Sequence, residues 1–183
     1  MVAWAIQVGE AELSSVLPRR WAHSHGVARR AADLGRILGG DAGLLAAAAT
    51  LHDIGYAPRL AATGFHPLDG ARFLRDAHSA DRRLVRLVAN HSFALLEAEE
   101  RGLRDRLEAE FPVLEDQRLV DALVYCDMTT TPYGEGTSVE PRLAEITGRY
   151  GSDSLVGRFI QRAAPEIRAA VQRVEAALAA QPR

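Results

Sequence analysis

The chain has 183 residues, 48% of them hydrophobic and 25% charged, with a formal net charge of -2. That composition supports a folded domain with a sizeable core and excludes both a disordered chain and a global basic field for a nucleic-acid polymer. A single cysteine, Cys126, excludes a disulfide framework; all 22 Lys+Arg residues are arginine, which excludes a Schiff-base or P-loop lysine.

Any bound anion must therefore meet arginine, backbone amides or metal. The opening Met1–Gln7 lacks the charged region and apolar core of a secretory signal, and the longest apolar stretch, Leu44 to Leu51, is too short to span a bilayer. A reducing cytoplasm and no membrane partner are the expectations.

Strand signals are scarce and 3.6-residue periodicity is common, so the expected fold class is all-α, a single domain over residues 1–183. The first helix is expected over Glu10–Leu17, stopping before Pro18. The second runs from Arg19 to Leu38 and ends at Gly39-Gly40. Asp41 can cap a third, reaching His52. Gly55, Pro58, Gly64 and Pro67 then break the chain into a loop. His66-Pro67 opens a helix through Ala77, with proline at its favoured first position. Helices follow over Asp81–Asn90 and onward past His91 to Arg106, and over Glu115–Asp127. The stretch Thr129–Gly136 reads as a turn-rich loop. C-terminal helices occupy Ser138–Tyr150 and Asp153–Ala180, the last divided near Pro165.

Helical periodicity sorts the polar residues by face. His23, Val27, Ala31, Leu34 and Leu38 form one apolar stripe of the second helix, whereas His25, Arg29, Asp33 and Arg36 form the opposite, polar one. His23 therefore points inward and His25 outward. His52 continues the stripe of Leu45 and Ala48, with Asp53 one position further round. His91 follows Leu84 and Leu87, and Asp127 follows Val120 and Leu123. His66 stands at a helix start above Leu68, Ala71 and Leu74. His78 lies in a polar setting and is expected at the surface. One buried histidine is usually a hydrogen-bonded core residue. Several His and Asp on core-facing positions each need a partner, and a shared metal satisfies them together, as helical bundles often arrange.

The order His23…His52-Asp53…Asp127 resembles the HD-domain superfamily of metal-dependent phosphohydrolases. Arg20-Trp21-Ala22-His23-Ser24 with Val27-Ala28 is similar to its first motif, and Leu51-His52-Asp53-Ile54-Gly55 to its second. The likeness runs from about Arg19 to Arg142. It implies an HD-type helical bundle with a buried metal site: a first metal on His23, His52, Asp53 and Asp127, and a second on His66 and His91 with Asp53 bridging. Tyr56 departs from the pattern, since many relatives have lysine there. The longer signature of the cyclic-dinucleotide phosphodiesterase branch is missing.

A His/Asp donor set with open positions favours Mn, Fe, Co, Ni or Zn, and one or two ions are expected. Asp53 is the expected catalytic residue, a ligand that also orients or deprotonates the attacking water. Four residues are candidates for substrate binding. Arg20, one turn before His23, either reaches a metal-bound phosphate or makes a structural ion pair. Arg59 either approaches the site from its loop or is simply solvated. Tyr133 can stack on a base, and Arg142 can close the site from the next helix. Cys126 is expected to pack.

The expected function is metal-dependent hydrolysis of a small phosphate ester, a nucleotide or a dinucleoside polyphosphate; small binuclear members of the family include hydrolases of the latter. Two alternatives are an HD-fold diiron oxygenase, whose comparable members use a substrate-binding lysine that this chain lacks, and a non-catalytic metal-binding signalling module. The expected partner is a small phosphorylated substrate.

Overall fold

The computed structural model describes residues 1–181. Its helices are α1 (Val2–Leu13), α2 (Pro18–Asp33), α3 (Gly35–Leu38), α4 (Ala42–Leu51), α5 (His66–His78), α6 (Arg82–Asn90), α7 (Ala94–Glu100), α8 (Arg104–Glu110), α9 (Gln117–Met128), α10 (Val139–Tyr150) and α11 (Leu155–Ala179). Among the described residues there is no strand, only an isolated antiparallel bridge between Thr130 and Gly136. The fold is all-α. No single helix among them is long and apolar enough to cross a membrane.

The alanine-rich α4 is the axis of the bundle. Leu44, Leu45, Ala47, Ala48, Ala49, Thr50 and Leu51 are all buried, because α4 packs against α1, α2, α6 and α9 together. Small side chains let those neighbours approach on every side, so α4 shows no polar stripe. A second apolar cluster joins Val124 and Met128 of α9 to Leu143 and Ile146 of α10 and to Phe159, Ile160 and Ile167 of α11. Helix α9 thus belongs to both clusters. Its last turn carries Asp127 between them.

Several expected boundaries shift, each for a visible reason. The first helix is Val2–Leu13 rather than Glu10–Leu17; Ala5, Val8, Gly9 and Leu13 make a stripe of mostly small residues that docks on α4. The expected helix Arg19–Leu38 breaks at Leu34, directly before Gly35, yet Leu34 and Leu38 both remain buried. Asp41 does not cap α4 through its side chain, because its carboxylate is engaged by Arg83 at 2.8 Å. Asp81 and Asp116 do cap α6 and α9. The run past His91 is interrupted by the short turn His91–Phe93 and then divided into α7 and α8. Pro165 lies inside a continuous α11, whose buried residues Phe159, Ile160, Ala163, Ile167, Ala170, Val171 and Val174 run unbroken along one face. His78 is half-buried between the rings of Trp4, at 5.6 Å, and Phe73, at 4.9 Å, rather than at the surface.

Two glycines set backbone contacts that the site depends on. A Cβ on Gly26 would lie 2.4 Å from the Gly134 backbone, so α2 touches the loop after α9 directly. A Cβ on Gly55 would lie 2.0 Å from the His66 carbonyl oxygen, so the turn after Asp53 presses against the start of α5.

Candidate metal centre

The inward face of α2 delivers His23, which is 2% exposed, while His25 two residues on is exposed and meets Arg29. His52 and Asp53 come from the end of α4, His66 from the first residue of α5, His91 from the turn after α6, and Asp127 from the last turn of α9. Five separate segments therefore converge. His23, His52 and Asp53 offer ligand atoms within 4.8 Å of one another, and so do Asp53, His66 and His91; each group can hold a metal ion. Asp53 belongs to both. Its Oδ2 lies 3.5 Å from His52 Nε2, and its Oδ1 lies 3.4 Å from His66 Nε2 and 4.0 Å from His91 Nε2.

Three of the imidazoles are oriented by main-chain carbonyls. Nδ1 of His23 lies 2.9 Å from the Thr131 oxygen, Nδ1 of His52 lies 2.8 Å from that of Ala49, and Nδ1 of His91 lies 2.7 Å from that of Val88. A carbonyl only accepts, so each Nδ1 carries the proton and each Nε2 turns a lone pair toward the centre. Metal-binding histidines are commonly held this way.

The result is a cluster of acceptors facing acceptors. His23 Nε2 lies 3.1 Å from Asp127 Oδ1, so either the imidazole carries a second proton or a cation lies between. His66 Nε2 lies 3.1 Å from His91 Nε2, which is a hydrogen bond only while His66 keeps its proton there. His52 Nε2 is buried with no hydrogen-bond partner at all. Such an orphan is costly, and a cation would satisfy it. The imidazole and carboxylate donors suit a divalent transition metal. The residues fit the group.

The electrostatics agree with that donor role. Burial alone would raise the Asp53 carboxyl, but the Arg20 guanidinium at 2.7 Å holds it well below the usual carboxylate range. Burial is outweighed at Asp127 too, by the contact with His23, so this carboxyl is also held low. Burial pushes His52 down and His66 further down, which keeps both imidazoles neutral, the ligand form. Ser92 Oγ donates to Asp127 Oδ2 at 2.5 Å and fixes the carboxylate.

The family model for the HD domain matches residues 20–128, more than half of the chain, and the range holds every His and Asp of this cluster. The chain belongs to the HD-domain family. No curated protein and no solved structure matches it. HD domains bind divalent metals, and the His-Asp doublet of this one sits where both candidate ligand groups meet.

A cavity of about 100 Å³ lies over the HD cluster. Its floor includes His23, Asp53, His66, His91 and Asp127; Ile146, Val156, Phe159 and Ile160 of α10 and α11 form an apolar wall. Of the four substrate-binding candidates, two reach it. Arg20 lines the cavity while ion-paired to Asp53, so the two readings of this residue coincide. Arg142 also lines it, with its side chain 8% exposed, Nη1 on Glu145 at 2.6 Å and Nη2 3.9 Å from Asp127.

The other two do not. Arg59 is ion-paired to Glu12 of α1 and lies over the Phe73 ring, because its loop runs across the α1 side of the bundle. Tyr133 is 65% exposed with Arg19 over its ring, so the loop after Asp127 contributes the Thr131 carbonyl rather than an aromatic wall.

Sequence reasoning did not single out Ser92, Thr131 or Arg149. Arg149 lines the cavity from the same helix face as Arg142, and their seven-residue spacing is the signal that was available. Tyr56 also has a definite place: its ring stacks on His66 at 3.9 Å, and the Arg20 guanidinium lies over it at 3.9 Å.

Proposed function

We propose that this protein is a metal-dependent phosphohydrolase that cleaves a small phosphate ester, a nucleotide or a dinucleoside polyphosphate. The observation that carries the reading is Asp53, a buried carboxylate shared by two groups of inward-turned imidazoles. In this reading His23, His52, Asp53 and Asp127 hold a first ion of Mn, Fe, Co, Ni or Zn, and Asp53, His66 and His91 hold a second. When bound, such metal supplies Lewis acidity at the phosphoryl oxygens and lowers the pKa of water to give a nucleophile near neutral pH.

The chain's own residues supply the rest. Asp53 stays ionised beside Arg20 and can accept a hydrogen bond from the attacking water, orienting it. Arg20 and Arg142 offer guanidinium N–H groups to phosphoryl oxygens. The wall of Ile146, Val156, Phe159 and Ile160 gives the cavity an apolar side, against which those charge interactions are less screened than in open water. Cys126 takes no part: it is fully buried, and burial pushes its thiol far above the ordinary range. The proposed partner is a small phosphorylated molecule, with no nucleic-acid polymer.

The test is product analysis. Protein loaded anaerobically with Mn or Fe(II) is incubated with nucleotides, dinucleoside polyphosphates and simple phosphate esters, and chromatography follows both free phosphate and new nucleotides. Release of either product, lost in Asp53→Ala, supports the reading. Metal-loaded protein that is silent on the whole panel but consumes oxygen in air would overturn it in favour of oxygen chemistry.

A further inference from the structure

The cavity over the metal centre continues into a second one of about 320 Å³, and Arg20, His23, Arg142 and Arg149 line both. This outer cleft is at the low end of the volumes that hold a small organic ligand. Arg19 joins the other three arginines around it, and no carboxylate among the described residues lines it. Arg142 and Arg149 share the carboxylate of Glu145, and Asp127 lies 3.9 Å from Arg142 Nη2.

The cleft also receives the N-terminal end of α2. Leu17 at the cap position offers no side-chain hydrogen bond and Pro18 follows it, so the positive end of a 16-residue helix is left to the cleft. Arg142 is held firmly at its edge: the side chain is 8% exposed, with Nη1 on Glu145 at 2.6 Å. A fixed guanidinium suits an oxyanion because its N–H groups are already arranged.

We propose that this cleft is a polyphosphate subsite. It holds the phosphate groups adjoining the one at the metal centre, and it selects substrates with two or more linked phosphates over simple monophosphates. The inference rests on the phosphohydrolase reading for the chemistry next door, but the anion site stands on its own residues. The cleft's apolar side is Val16, Leu17, Pro18 and Pro132, with no Phe, Tyr or Trp ring to stack on a base. Charge, rather than base recognition, is what it offers. Two of its arginines lie on α10, beyond residues 20–128, so the selectivity belongs to the C-terminal part of this chain.

The test uses tripolyphosphate and orthophosphate as probes, titrated calorimetrically into the full-length protein after removal of metal. Tripolyphosphate should bind at least about tenfold more tightly than orthophosphate, given that each added charge-assisted contact contributes on that order. The doubly substituted Arg19→Ala/Arg149→Ala protein, altered at two exposed positions, should bind tripolyphosphate about tenfold or more weakly. Arg36→Ala removes an exposed charge from the polar face of the bundle and should change nothing. His52→Ala should keep tripolyphosphate binding while losing metal. Equal affinity for the two probes, or a loss in Arg36→Ala as large as in the double variant, would overturn the subsite. Phosphate release by the metal-loaded protein without this binding pattern removes the subsite and keeps the hydrolase. The binding pattern without phosphate release does the reverse.

Discussion

Ser92 Oγ lies 2.5 Å from Asp127 Oδ2 and leaves the other carboxylate oxygen facing His23. Ser92 has φ +49 and Phe93 has φ +63, so the chain turns sharply through the left-handed region just after His91. Such backbone costs on the order of 1–3 kcal/mol and persists only where the surroundings fix it. Here the turn brings the hydroxyl of Ser92 and the imidazole of His91 to one site.

Glycine at position 92 suits the backbone but lacks the hydroxyl, whereas alanine lacks the hydroxyl and keeps the strain. Both Ser92→Gly and Ser92→Ala are expected to weaken metal binding by about 10- to 100-fold, the usual effect of removing a group that orients a ligand. Thermal unfolding should separate them, with Ser92→Ala less stable than Ser92→Gly. A metal titration indistinguishable from the unaltered protein in both variants would remove Ser92 from the site.

Tyr56 is packed between Arg20 and His66 through its ring faces. Tyr56→Phe should therefore preserve metal stoichiometry, because stacking does not need the hydroxyl. Tyr56→Ala should lower occupancy of the proposed site at His66 and His91 while sparing the proposed site at His23 and His52. Metal analysis of the two variants checks this, and equal loss in both would assign the role to the hydroxyl instead.

Acid should destabilise the metal-free protein in two stages. Burial holds His52 and His66 below the ordinary histidine pKa of about 6.5, so the unfolded chain takes up protons there before the folded one does. Stability then falls as pH drops through about 6.5, with a slope of up to about 2.7 kcal/mol per pH unit for two sites. Asp53 and Asp127, both held low, add a further loss below the ordinary carboxylate value of about 4. Unfolding temperatures of the metal-free protein at pH 7.5, 6.5 and 5.5 should decrease in that order. An unchanged or rising series would mean that the histidines are charged in the folded state.

Much of the site is legible in the sequence because helical periodicity distinguishes faces. The stripe through His23 separates it from His25, and burial follows that division. The all-α class and the loop after Asp127 follow from the same pattern and from turn residues. What could not be read depends on chain segments far apart in sequence. His78 is covered by Trp4, 74 residues away in number, and Arg59 is drawn to Glu12 rather than to the cavity. The cleft exists because the fold sets Arg142 and Arg149 of α10 across from the start of α2, an arrangement that local sequence does not encode. The bounds of helix α1 are not legible because its buried stripe is built largely from alanine, valine and glycine, which carry a weak periodic signal.

In the proposed centre, buried imidazoles and carboxylates from five segments hold a transition metal through Asp53. Its most direct test is the metal content of purified, desalted protein measured by mass spectrometry after loading with Mn or Fe(II). The unaltered chain and His25→Ala should retain the metal, and Asp53→Ala should lose it. An Asp53→Ala protein that binds as much as the unaltered chain, or a His25→Ala protein that loses as much as Asp53→Ala, would mean that Asp53 does not hold the metal.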